Sequence, residues 1–300
     1  MELKTILKER SAAVSRELEK YLPEEKGFQQ IIFEASNYSV RNGGKRLRPL
    51  LTECAYILCR NNGSEELSDA EMKAVFPIMA AMEMIHSSSL VHDDLPCMDN
   101  DTLRRGVPST WAKFGEDFGT LAGDALMIYA FETASKSTAD TDKKLKCIEI
   151  LAKKSGVYGM IGGQTLDVQL AGKAPSREQL EFIYKHKTGA LIEASFMMGA
   201  VLAGADDSTV AALEEAADAI GMAFQIQDDI LDVTSTQEEL GKPIGSDEAN
   251  NKITWLSFYG LEQSKKDVVA YTDKALEIIK GIGDYEFLNE LLISLIDRKF

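Results

Sequence analysis

Three hundred residues at 45% apolar content suffice for one large core, and no Gly/Ser/Pro-rich stretch or long charge run offers a linker, so residues 1–300 read as a single domain. A net charge of −15 argues against a nucleic-acid binder and against attraction to an anionic membrane, since both need a broad basic face. Four cysteines, Cys54, Cys59, Cys97 and Cys147, show no CxxC pairing and no companion histidine, which points to reduced thiols and a cytoplasmic protein.

In chain order, the first segment, MELKTILKERSAAVSRELEKYL, is charged at helical spacing and has neither an uninterrupted apolar core nor a small-residue cleavage site, so no export signal is expected. Apolar residues then recur at steps of three and four in IIFEASNYSV, AVFPIMAAMEMIHSSSLVHDD, LEFIYKHKTGALIEASFMMGAVLAG and VAALEEAADAIGMAFQIQDDILD. Alternating strand patterns bounded by hairpin turns are absent. The seven prolines fall mostly between these segments. The expectation is an all-α bundle of roughly ten or more helices around a central cavity. The longest weakly polar stretch, 191–205, is shorter than a membrane span and contains Glu193, so it reads as a core helix.

Between the second and third helical segments stands Gly43-Gly44-Lys45-Arg46-Leu47-Arg48-Pro49. Glycines let the backbone approach a ligand, Lys45 offers a point charge, and Arg48 a planar fork that matches phosphate oxygens. By itself such a run is most often an exposed basic turn, and it is not a Walker A loop. A second basic pair, Arg104-Arg105, follows the first aspartate cluster and strengthens the phosphate reading.

Two aspartate clusters lie in apolar sequence: HDDLPCMDND, with Asp93, Asp94 and Asp99, and QDDILD, with Asp228, Asp229 and Asp232. Buried carboxylates repel one another and are expensive to desolvate, so two such clusters in one fold call for cations. In the second cluster a continuous helix places all three carboxylates on one interior face. In the first, Pro96 ends the helix near Asp94, and Asp99 returns from a loop. Hard oxygen ligands of this kind suit magnesium, which keeps waters and takes further ligands from substrate phosphates. The DNDTLRRG loop lacks the glycine and closing glutamate of an EF-hand.

The run of GGKRLRP, the first Asp-rich motif with LRRG, GGQTLD, KTG, FQIQDDILD and GKPIGSDEANNK, in that order over most of the chain, resembles the trans-isoprenyl diphosphate synthases that make farnesyl and geranylgeranyl diphosphate. The resemblance implies a homodimer and head-to-tail condensation of isopentenyl diphosphate onto an allylic diphosphate. It implies three magnesium ions per site, held on the allylic diphosphate by Asp93, Asp99 and Asp228, with Asp94, Asp229 and Asp232 in support. Lys187, Lys242 and Lys252 would add positive charge there, and Arg104 would clamp the same group. Lys45, Arg48, His86 and Arg105 match the isopentenyl diphosphate site, and Thr188 and Gln225 the polar groups beside the carbocation. His92 and His186 have no such counterpart.

Product length is expected to depend on the helix that leads into Asp93, because one turn rises about 5.4 Å, close to one isoprene unit. One turn back are Ser88 and Ser89. Bacterial farnesyl synthases that resemble this chain commonly carry a tyrosine floor at the Ser88 position. Without it, Met84 and Ile85 would form a deeper floor and admit a C20 chain. Phe114, Phe118 or Met127 could instead hold the product at C15, which family frequency places first. A terpene cyclase would share the aspartates but not need the second basic site. A non-catalytic subunit would typically lose one aspartate cluster.

Overall fold

Helical periodicity carries through to the three-dimensional structure, a computed structural model that describes residues 3–60, 64–234 and 253–297. Among these, α1 spans Leu3–Leu18, α2 Gln30–Arg41 and α3 Leu47–Cys59. The long α4, Asp69–Asp93, starts at a capping box in which the Ser68 hydroxyl and the Glu71 carboxylate satisfy each other's backbone N–H groups. It stops where Pro96 forbids further helix, and the Asp99 N–H bonds the carbonyl of Asp93 at 2.9 Å, returning that loop to the helix end.

After a short loop come α5 (Thr110–Phe114), α6 (Glu116–Ser135), α7 (Thr141–Ser155) and α8 (Met160–Gln169). Then follow α9 (Arg177–Ile183), α10 (Ala190–Ala203), α11 (Asp207–Thr234), α12 (Trp255–Tyr259), α13 (Leu261–Ile282) and α14 (Glu286–Asp297). The fold is all-α.

The core is divided by α10, as its apolar sequence requires. Ile192, Phe196 and Ala200 pack with α3, α11, α13 and α14, while Leu191, Ala194, Met198 and Leu202 pack with α4, α6 and α7. Gly199 permits the closest crossing: a Cβ there would sit 2.3 Å from the Thr52 carbonyl on α3. Among the described residues, the helix long and apolar enough to reach across a membrane is α4, 25 residues, rather than the 191–205 segment. By length and composition α4 would cross a membrane, but most of that stretch is buried among α3, α6 and α10.

Two local departures from the sequence expectation lie beside the site. Leu103–Arg104 (β1) pairs antiparallel with Val107–Pro108 (β2), a hairpin too short to show alternation. Its turn residues, Arg105 (φ 54°) and Gly106 (φ 80°), both occupy the left-handed region that a two-residue hairpin turn demands. Residues Tyr184–Gly189 form a π-helical turn between α9 and α10 where periodicity reads as one helix.

Candidate active site

The end of α4 brings the first aspartate cluster against α8. Gln164 donates through Nε2 to Oδ1 of Asp93 at 2.9 Å. Burial pushes the Asp93 carboxyl up to about 6, with Asp99 and Asp94 adding repulsion and Lys187 and Arg104 opposing it. One turn further along α8, Asp167 pairs with Lys187 Nζ at 2.5 Å. Lys187 belongs to the π turn, whose backbone is pressed against α8: a Cβ on Gly163 would lie 2.2 Å from the Lys187 nitrogen.

Facing them, α11 presents Gln225, which accepts the Thr188 hydroxyl at 2.9 Å; Asp228 follows one turn on in the same helix. A cavity of about 640 Å3 is lined by Asp99, Gln164, Asp167, Lys187, Thr188 and Gln225, among others. Asp229 and Asp232 are buried beside it. Asp229 Oδ2 takes the Tyr184 hydroxyl and, at 2.9 Å, the backbone N–H of Trp255, so this carboxylate ties the π turn to α12.

Asp94 and Arg104, expected as a supporting metal ligand and a diphosphate clamp, hydrogen-bond one another. Arg104 donates to Asp94 Oδ1 through Nε at 2.9 Å and through a terminal nitrogen, and reaches Asp101 at 3.2 Å. The hairpin's two backbone hydrogen-bonded positions hold Arg104 beside the end of α4, where the buried carboxylate would otherwise lack a counter-charge.

A second, basic site lies against α4 one to two turns before Asp93. Gly43 and Gly44 adopt positive φ, and a Cβ on Gly44 would come within 2.7 Å of the Arg105 guanidinium. Arg105 donates to the Gly43 carbonyl, fastening the hairpin tip to this loop. Arg48 approaches His86 Nε2 at 3.2 Å. Burial and the adjacent arginines hold the His86 imidazole well below the usual histidine range, so it is neutral and accepts this bond. Burial also lowers Arg48 to about 10, and its Nε is buried with no hydrogen-bond partner among the described residues. Lys45 is exposed. The middle cation of the run, Arg46, turns into the core and meets Glu83.

Ser88 is fully buried and donates to the Ile85 carbonyl at 2.8 Å, while Ser89 donates to that of His86 at 2.9 Å. Met84 and Ile85 are fully buried one turn deeper. Phe114 packs with Ala35, Val91 and Ala122 and meets the Tyr38 ring edge-on, and Met127 packs along the α4 side of the core. His92 fills the space left by Gly123, and His186 stacks on Phe182. Lys242, Lys252 and the basic pair Arg298-Lys299 lie outside the described residues.

Sequence reasoning assigned no role to Gln164, Asp167, Arg46 or Glu83. A lone carboxylate in MAAMEMIH, one turn before His86, was a readable signal for Glu83. Nothing local distinguishes Gln164, whose role arises only when α8 packs against the end of α4.

The donor set fits a hard divalent cation. Among the described residues no three of His, Cys, Asp and Glu stand close enough to cage an ion unaided. Magnesium suits that arrangement, because phosphate oxygens and waters complete its shell. Burial holds Asp93 up at about 6, against the pull of Lys187, so a cation there would favour its charged form.

Residues 29–281 match the polyprenyl synthetase family. The chain is 43% identical to the geranylgeranyl diphosphate synthase of Cyanophora paradoxa, over 94% of this chain and 95% of that protein. It is 38% identical to the farnesyl diphosphate synthase of Geobacillus stearothermophilus, over 92% and 90%. A geranyltransferase from Helicobacter pylori, solved with magnesium and isoprenyl diphosphate, superposes with a TM-score of 0.83 at 33% identity, covering 99% of this chain and 97% of that one. With this agreement in sequence and fold, the chain belongs to the polyprenyl synthetase family and is a short-chain prenyl diphosphate synthase, a prenyltransferase.

Proposed function

We propose that this prenyltransferase adds isopentenyl diphosphate to dimethylallyl, geranyl and farnesyl diphosphates in turn and releases geranylgeranyl diphosphate. The observation that carries the reaction is the pairing of two chemically different anion sites along one helix. The acidic end of α4, Asp93 with Asp94 and Asp99 and joined on this reading by Asp228, needs cations before it receives a diphosphate, whereas Arg48 and Arg105 beside neutral His86, joined on this reading by Lys45, receive one directly. A cyclase, with one diphosphate to bind, has no use for the second site.

Magnesium, three ions by the resemblance, would neutralise the allylic diphosphate as its carbon–oxygen bond breaks. Lys187, poised by Asp167, adds positive charge on the same side. The developing cation then faces the Thr188–Gln225 pair, whose oxygen dipoles favour positive charge, within apolar helices that exclude water. The basic site holds the isopentenyl diphosphate with its double bond toward that carbon. Released diphosphate takes the final proton, so no side-chain base is required.

C20 is favoured because Ser87, Ser88 and Ser89 offer no bulky floor in the turn below the aspartates, and Ser88 turns its hydroxyl onto its own helix. C15, the product that family frequency placed first, becomes the second reading, supported by the Geobacillus relative and by Met127 on the same side of the core. We also read the active species as a homodimer: Leu121 and Ile128 on α6 and Val157, Tyr158 and Ile161 around the start of α8 expose apolar surface. Incubating the protein with magnesium, isopentenyl diphosphate and each allylic primer, with mass analysis of products, tests the reading. A C20 product supports it, C15 selects the second, and diphosphate loss without elongation overturns both.

A further inference from the structure

Arg46 sits in the middle of the phosphate-binding run yet faces away from it. It immediately precedes α3 with φ 50° and ψ 35°, a left-handed conformation that side chains other than glycine and asparagine seldom adopt. The side chain is buried, and every guanidinium nitrogen is used: NH1 meets Glu83 Oε1 at 2.6 Å, NH2 the Val40 carbonyl at 2.7 Å, and Nε the Ser15 hydroxyl at 3.0 Å. One residue thus gathers α1, α2 and α4 around the loop. Its partner Glu83 is equally buried, between Met82 and Met84, and stands one turn before the histidine that meets Arg48.

We infer that Arg46 and Glu83 are a positioning pair for the isopentenyl diphosphate site, holding residue 46 left-handed so that Lys45 and Arg48 flank one anion. A buried ion pair is seldom retained for stability, because well-packed apolar residues of similar volume serve as well or better. A backbone in a disfavoured conformation, by contrast, persists only where its surroundings over-determine it. Three further contacts on the same loop agree. Ser11 holds the Lys45 carbonyl at 2.7 Å, Arg105 the Gly43 carbonyl, and the Arg46 carbonyl receives the Leu50 N–H that begins α3. Glu83 also offsets part of what burial takes from Arg48 and Arg105.

This inference rests on the reading of Lys45, Arg48, His86 and Arg105 as the isopentenyl diphosphate site. Its test compares wild type with two double variants, Arg46→Met/Glu83→Leu and Arg46→Gly/Glu83→Leu, which share the loss of Glu83 and leave neither member of the pair buried and charged without the other. Circular dichroism and thermal melting establish that each is folded. The methionine variant should raise the KM for isopentenyl diphosphate about tenfold, with the KM for the allylic primer and kcat within about twofold of wild type. Glycine tolerates positive φ, so the glycine variant should recover at least about half of that loss on a logarithmic scale. A general loss of packing would move both KM values together and gain nothing from glycine. Parallel shifts, no shift, or no rescue overturn the inference while wild-type turnover upholds the site. Wild-type protein that isopentenyl diphosphate does not saturate overturns the site reading itself.

Discussion

Gln164 on α8 and Asp93 at the end of α4 meet through a 2.9 Å hydrogen bond between residues 71 apart in sequence. A donor to a carboxylate favours its charged form. This bond therefore works against the burial that raises Asp93. Replacing Gln164 with Leu should raise Asp93 further, moving the acid limb of the kcat/KM profile to higher pH and increasing the magnesium needed for half-maximal rate by about tenfold. A profile and magnesium dependence identical to wild type would show that the contact carries no function.

The Asp93 carboxyl also predicts how metal and pH act on stability. Its folded value is about 6 against an ordinary 3.8, so the folded protein binds the proton more tightly than the unfolded chain does. Without metal, this group's contribution to stability is greatest when the carboxyl is protonated in both states and declines as pH rises through that interval. On the proposed reading magnesium would bind the charged form and reverse the loss. The metal-induced rise in Tm should be several degrees near pH 7.5 at about 100-fold excess over Kd and should shrink steadily below about pH 6. Thermal melts with magnesium and with a chelator across that range check it, and an increment independent of pH would contradict the Asp93 account.

The aspartates of the second cluster should separate by consequence. Asp228→Ala, like Asp93→Ala, should reduce turnover by at least about a thousandfold with little change in melting. Asp229→Ala strips the acceptor from the Tyr184 hydroxyl and the Trp255 N–H and should destabilise the fold by about 1–3 kcal/mol. Urea unfolding beside steady-state rates tells them apart. Equal stability loss in all three variants would refute the division.

Ser88→Tyr should place a ring one turn below the aspartates, shortening the product by about one isoprene unit, since a turn rises about 5.4 Å. Total condensation should stay within about threefold of wild type, because no contact to either diphosphate changes. Product analysis by mass spectrometry reads both, and an unchanged product would place the floor on another helix.

The close contact of Gly163 with Lys187 makes the π turn intolerant of added volume. Gly163→Ala brings a methyl onto a backbone nitrogen, which cannot swing aside as a side chain can. The expected result is at least about a hundredfold lower kcat with the hydrogen-bonded Lys187–Asp167 pair displaced. Wild-type-like rates would show that the turn is not held there.

What the order of residues determined alone was the helical class, the two carboxylate clusters and the basic run, because each rests on local periodicity or on charges a few positions apart. Pro96 by itself ended α4 and returned Asp99. Packing decided the rest. Identical charges in one motif separated, with Arg48 at the site and Arg46 in the core, because a left-handed residue 46 meets Glu83 from a helix 37 residues away. The same is true of Asp94, which Arg104 neutralises, and of Asp229, which holds Tyr184 and Trp255. A side chain's role depends on which donors and charges surround it after burial, and for these residues the deciding partners come from elements distant in the chain, where no local pattern marks them.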